Sequence, residues 1–273
     1  MGTGIYTFSI GNKSFFLTSK EKGIKHSVCK WCYNDIPLET LCEAAGDIGL
    51  SSIELLGPQD WPILKKYNLT CAMGTASWVS LTNGFNEPGL HSELQKNYYS
   101  LLEAAANHGI PTIICFSGNR KGVSDVAGLE HCAVGLEPIV KYAEKLGVMV
   151  AMELLNSKVN HEDYQCDHTQ WGVALVDKIG SPNFKLLYDI YHMQIMEGDI
   201  IATIRRYADY IVHFHTGGVP GRNEIDESQE LYYPAIMKAI KELGYDGYVG
   251  QEFIPLKKDK LGSLKQGVEI CSV

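Results

Sequence analysis

Along this chain, short apolar runs alternate with longer stretches in which apolar residues return every three or four positions. The runs have the length of strands, and the longer stretches have the period of amphipathic helices. From residue 25 onward the alternation predicts eight strand-then-helix units. Strands are expected at 25–29, 52–56, 69–73 and 112–116, then in four runs that end at Glu153, Asp189, His215 and Glu252. Helices are expected at 37–49, 61–67, 90–108, 128–146, 169–179, 199–208, 233–243 and 261–273. The first has Pro at its first turn and Gly at its end, and Asp199 is placed to cap the sixth.

Regular βα alternation without hairpin signals calls for parallel strands joined by crossover helices. A closed barrel and an open doubly wound sheet both satisfy it. An open sheet ordinarily carries a glycine fingerprint after its first strand, and that position here reads Lys30-Trp31-Cys32-Tyr33. The expected fold is α/β, a single (β/α)₈ TIM barrel over residues 24–273, with residues 1–23 as an N-terminal extension. The length of 273 residues is close to the roughly 250 typical of such barrels.

Glu153, Asp189, His215 and Glu252 lie 36, 26 and 37 positions apart, each directly after an apolar run. In a barrel, residues at the carboxyl ends of the strands gather at one mouth. A lone carboxylate in such a place commonly caps the next helix, but four polar residues at four consecutive strand ends point to a metal site. Three carboxylates and one imidazole suit a divalent cation, Mg²⁺ or Mn²⁺ first, with Co²⁺ and Zn²⁺ compatible.

A cation beside two carboxylates fits proton abstraction next to a carbonyl, because a Lewis acid holds the charge of the enediolate. Glu153 and Glu252, expected across the mouth from each other, are the candidate proton-transfer pair. His192, three residues past Asp189, is placed to hydrogen-bond a substrate oxygen. Glu54, ending the second strand, is a candidate for contact with a ligand or with His192. Arg222 and Asn223 are candidates for holding a substrate carboxylate. Trp31 and Trp78 are read as pocket walls or as ordinary packing. The run 216–221 reads as a lid more than a phosphate cradle, since no helix start follows at once.

The net charge of −8 and pI near 5.6 argue against nucleic acid, whose affinity comes from cationic side chains. No stretch approaches the roughly 18 to 20 apolar residues of a membrane span. Residues 1–23 hold no signal-peptide core, and Tyr6 breaks the myristoylation pattern. Eight cysteines in a chain this long read as reduced and buried, Cys29 and Cys32 included. The expectation is a cytoplasmic enzyme with a small hydroxy-carbonyl or sugar substrate, no nucleic acid or membrane partner, and self-association left open.

The segment Tyr188-Asp189-Ile190-Tyr191-His192-Met193-Gln194-Ile195-Met196-Glu197-Gly198 resembles a signature of the hydroxypyruvate isomerase family, a branch of the xylose isomerase-like barrels. Met152-Glu153-Leu154-Leu155-Asn156, Glu230-Leu231-Tyr232-Tyr233 and Val249-Gly250-Gln251-Glu252-Phe253-Ile254-Pro255 resemble its later motifs in order and spacing. The resemblance covers residues 148–260 and implies a divalent metal held by Glu153, Asp189, His215 and Glu252, with His192 reaching the substrate. It also implies interconversion of hydroxypyruvate and tartronate semialdehyde. Two departures stand out: related hydroxypyruvate isomerases often have Gln where His215 stands, as ketose 3-epimerases do not, and Leu154 replaces a frequent Pro. A ketose 3-epimerase is therefore the alternative. An abasic-site endonuclease would need extra metal ligands, for which His213 and Asp226 are candidates, and a non-catalytic sugar-binding relative is a fainter option.

Overall fold

The computed structural model describes residues 24–273; the expected extension at 1–23 lies outside the described residues. Seven parallel strands form one sheet: β1 (Lys25–Cys29), β2 (Ser52–Glu54), β3 (Thr112–Cys115), β4 (Met149–Glu153), β5 (Phe184–Asp189), β6 (Ile211–Thr216) and β7 (Tyr248–Gln251), in the order β2-β1-β7-β6-β5-β4-β3. The helices are α1 (Leu38–Ile48), α2 (Trp61–Lys66), α3 (His91–His108), α4 (Asp125–Leu146), α5 (Thr169–Ile179), α6 (Ile190–Met196), α7 (Ile200–Arg206), α8 (Tyr233–Glu242) and α9 (Lys260–Cys271). Among the described residues, no helix is long and apolar enough to cross a membrane.

The expected strand at 69–73 is where pattern and structure part. That segment lies between β2 and β3 but pairs only at isolated points: Thr70 with Ser52, and Gly74 with both Leu56 and Ile113. It links the two ends of the sheet without forming a regular ladder. Gly74 explains the close approach, since a Cβ there would meet Ile113 Cδ1 at 2.8 Å and Trp61 at 3.0 Å.

Every side chain of β2 and β3 is buried, as are nearly all of those on the other strands, because helices cover one face and the interior side chains fill the other. The helices α1, α3, α4 and α5 all stop at a glycine in the left-handed region, a repeated device that turns the chain back toward the next strand. Asp199 does not cap α7: it adopts φ +44° itself, and its side chain accepts no cap hydrogen bond. All eight cysteines are free and buried, so no cross-link contributes to the fold.

Candidate metal centre and active site

Asp189 ends β5 and starts α6 at once. Its Oδ1 accepts the backbone N–H of His192 at 3.0 Å, as a helix-capping carboxylate does, and Oδ2 is left for other partners. A register shift between Leu186 and Leu187 sets Asp189 level with His215 on β6. Glu153 closes β4, and Glu252 follows β7 directly. Donor atoms of Glu153, Asp189, His215 and Glu252 lie within 4.8 Å of one another, and all four residues are buried. His215 Nδ1 stands between the two glutamates, 3.3 Å from Glu153 Oε1 and 3.1 Å from Glu252 Oε2.

The other face of His215 is tied down from below. Its Nε2 lies 2.7 Å from Glu54 Oε1, and the same oxygen is 2.8 Å from His213 Nε2. His213 and His215 share the inner face of β6 because strand side chains alternate. This contact between a carboxylate and the far nitrogen of an imidazole fixes which nitrogen faces the cluster. Gly250 makes room for it: a Cβ there would meet Glu54 Oε1 and His215 Cδ2 at 2.8 Å each. Glu54 is thus brought to His215, and neither to His192 nor to the open cavity. Two smaller donor sets, Cys29 with His215 and Glu252, and Glu54 with His213 and His215, share the same imidazole.

Arg222 reaches the cluster from the loop after β6. Its Nη2 is 2.5 Å from Glu252 Oε2 and 3.5 Å from Asp189 Oδ2, and its guanidinium lies between the rings of Trp31 and Tyr191, 5.0 and 5.5 Å from their centroids. The Trp31 indole N–H donates to Glu252 Oε1 at 2.7 Å, so Trp31 belongs to the site. Trp78 packs edge-on against Tyr98 instead. Asn223 ties its loop to the Ile254 carbonyl, and Asp226 pairs with Lys257, which leaves both outside the cluster.

His192 is buried, and its orientation is set by Asn156, whose backbone N–H donates to Nδ1 at 3.1 Å while the side-chain amide lies 2.6 Å from the same atom. Nδ1 is therefore the acceptor and Nε2 carries the proton. That Nε2 has no hydrogen-bond partner and sits 3.7 Å from Asp189 Oδ2. Asn156 and His161, a cavity-lining residue beyond β4, were not singled out from the sequence, and His213 was named only as an extra metal ligand, whereas it backs Glu54. His213 alone left a usable signal, two positions before His215 on one strand face.

The electrostatics are uneven. Burial, reinforced by the charge of Glu252, raises the Glu153 carboxyl above its ordinary range, and burial lifts Asp189 well above it against the pull of Arg222. Burial pushes on Glu252 too, but Arg222 and His215 hold it well below the usual carboxylate range. Burial and the Arg222 charge keep His192 well below the usual imidazole value, hence neutral. Three buried carboxylates, Glu153, Asp189 and Glu252, face a single permanent cation in Arg222, while Glu54 is held by His213 and His215. Burying charge without compensation costs several kcal/mol per ion, and a divalent cation supplies what this set lacks. The donor set fits one.

Above the cluster opens a cavity of about 510 Å³ whose lining includes Trp31, Glu153, His161, Arg222 and Glu252 together with the apolar Leu55, Val79, Leu81, Ile114, Phe116 and Leu155. A larger surface hollow of about 690 Å³, around Asp167, Trp171, Glu197 and Arg206, shares no residue with the cluster.

Comparison with known proteins agrees with this architecture. A putative hydroxypyruvate isomerase from Homo sapiens is 29% identical over 62% of each chain, so the aligned part spans under two thirds of that protein. Hydroxypyruvate isomerase from Escherichia coli is 27% identical over 81% of this chain and 89% of its own. A 2-oxo-tetronate isomerase from Cupriavidus necator is 30% identical over 80% and 87%. Among solved structures, an AP endonuclease, family 2, from Brucella melitensis superposes with a TM-score of 0.79 at 26% identity, covering 90% of this chain and 97% of that one. The D-psicose 3-epimerase of Clostridium cellulolyticum, crystallised with D-tagatose, gives 0.70 at 21% identity over 89% of both chains, which speaks to the fold alone. The model of the xylose isomerase-like TIM barrel family matches residues 61–270, most of the chain, and the protein belongs to that family.

Proposed function

We propose that this chain is a divalent-metal-dependent isomerase that moves a carbonyl along a small hydroxy-carbonyl compound through an enediolate, with hydroxypyruvate and tartronate semialdehyde as the first pair. The observation that carries the reading is the convergence of Glu153, Asp189, His215 and Glu252 within 4.8 Å, all buried, from four successive strands. These four residues would hold the cation, Mg²⁺ or Mn²⁺ first, which when bound polarises the carbonyl and offsets the enediolate charge.

The reaction is an internal exchange. C3 of hydroxypyruvate gives up a proton and C2 receives one, while a second proton passes from the C3 oxygen to the C2 oxygen. No oxidant or co-substrate is needed. Glu153 and Glu252 flank His215 Nδ1 from two sides, so one carboxylate takes the carbon-bound proton and the other returns it. His192 Nε2–H, fixed by Asn156 and otherwise without a partner, donates to a substrate oxygen. Glu54, with His213 behind it, keeps His215 turned toward the cluster. Arg222 is the guanidinium available for the substrate carboxylate.

A ketose 3-epimerase is the second reading, favoured by His215 and by a cavity with room for a five- or six-carbon ketose. Proton NMR in D₂O with Mn²⁺ or Mg²⁺, hydroxypyruvate and a panel of ketoses separates the two. The isomerase reading expects deuterium in the hydroxypyruvate product and an aldehyde-hydrate signal. Exchange confined to C3 of a ketose would put the epimerase first. No exchange with any of them would end both.

A further inference from the structure

His161 lies between β4 and α5, with its imidazole in the cavity wall beside Glu153, Arg222 and Glu252. Its backbone is fixed, for the N–H donates to the Asn156 carbonyl at 3.1 Å and its own carbonyl accepts from Tyr164 N at 3.0 Å. The half-buried ring packs on His192 with centroids 5.2 Å apart. Among the described residues its ring nitrogens meet no hydrogen-bond partner. A fixed imidazole in a cavity wall with an unused N–H can donate it to a ligand bound there.

Among the described residues lining this cavity Arg222 is the only Lys or Arg, and Leu55, Val79, Leu81, Ile114, Phe116 and Leu155 make up its apolar lining, with Thr75 and Ser77 as hydroxyls. A substrate carboxylate placed among those apolar side chains would be stripped of water with only the neutral Thr75 and Ser77 hydroxyls to meet it, which is costly. At the Arg222 end it meets a cation and, in His161, a second donor for its other oxygen. The carbon tail is then directed to the apolar wall.

We propose that His161 is a binding residue for the acid end of the substrate: together with Arg222 it takes the carboxylate next to the carbonyl and makes the site prefer 2-oxo acids over neutral hydroxy-ketones. This rests on the isomerase reading above and names its substrate class.

Hydroxyacetone tests it, because it is hydroxypyruvate with a methyl in place of the carboxylate. Metal-loaded wild type, His161→Ala and His161→Gln are compared for solvent-deuterium exchange with both compounds and, by calorimetry, for hydroxypyruvate binding. Thermal melts confirm that the variants fold. The expected result is a loss of about 10- to 100-fold in hydroxypyruvate kcat/KM for His161→Ala, carried mainly by KM, the scale of one hydrogen bond to a charged group. The loss with hydroxyacetone should be at least about tenfold smaller, and His161→Gln should recover part of it. Equal losses on both compounds, or none on either, would overturn the assignment. If wild type binds hydroxypyruvate without exchanging it, and His161→Ala weakens that binding tenfold, the assignment stands and the isomerase reading falls. If wild type neither binds nor exchanges it, both fall.

Discussion

Two arcs of the same mouth are built in opposite ways. From β4 to β7 every strand end delivers a polar group to one point, and Glu153, Asp189, His215 and Glu252 are all withdrawn from water there. From β2 through the 70–74 segment to β3 the wall is Leu55, Val79, Leu81, Ile114 and Phe116, with Thr75 and Ser77 as its hydroxyls. The contrast separates two jobs. Burial of the charged arc is costly without a counter-charge, and under the proposed function it is the arc that does the chemistry, whereas the apolar arc shapes what fits beside it. Substitutions on the first should change rate and metal affinity, and those on the second should change substrate preference.

The largest effect should come from the proton-transfer pair. Glu153→Gln or Glu252→Gln keeps the shape but removes the proton acceptor, and exchange into hydroxypyruvate in D₂O should fall about 10²- to 10⁴-fold. Removing the arc's one permanent cation comes next. Arg222→Met leaves Glu252 and Asp189 buried without it, a loss of roughly 3–5 kcal/mol in metal-free protein, read as a lower melting temperature that Mn²⁺ largely restores. A melting point that Mn²⁺ does not raise would mean that the arc's charge is balanced in some other way.

Smaller losses test how the imidazole is oriented. Glu54→Gln removes the anionic partner of His215 Nε2 and should weaken metal binding about 10- to 100-fold, measured by calorimetry. Gly250→Ala pushes a methyl against Glu54 and His215 and should cost about 1–3 kcal/mol of stability together with metal affinity. The smallest change is expected on the apolar arc: Leu81→Ser, at an exposed rim position, should alter stability by no more than about 0.5 kcal/mol while shifting relative kcat/KM among ketoses of different length.

The charged arc was the legible one. Its residues stand directly after regular apolar runs, and strand period and barrel geometry together bring such positions to one mouth, as they do here for all four. What lies behind them was harder to read. Glu54 also ends a strand, but β2 pairs with β1 so that Glu54 is level with Cys29, and it supports His215 from below; only cross-strand register carries that information. Arg222 stood out only as a candidate for a substrate carboxylate, because its placement between Trp31 and Tyr191 depends on two loops distant in sequence. The 69–73 strand was overread because its hydrophobicity comes from Leu69, Cys71, Ala72 and Met73, with no β-branched residue but Thr70, and burial alone does not make a ladder. Asp189 had been open to reading as a cap or as a ligand. In the structure Oδ1 caps while Oδ2 faces the cluster, so capping leaves an oxygen free for the proposed ligand role.

The direct test of the charged arc is a calorimetric or electron-paramagnetic titration of metal-free protein with Mn²⁺, run beside Asp189→Asn and His215→Ala. One ion per chain in wild type, with affinity lost in both variants, is the predicted result. Absence of binding, or binding that both variants retain unchanged, would contradict a cation held by these four side chains.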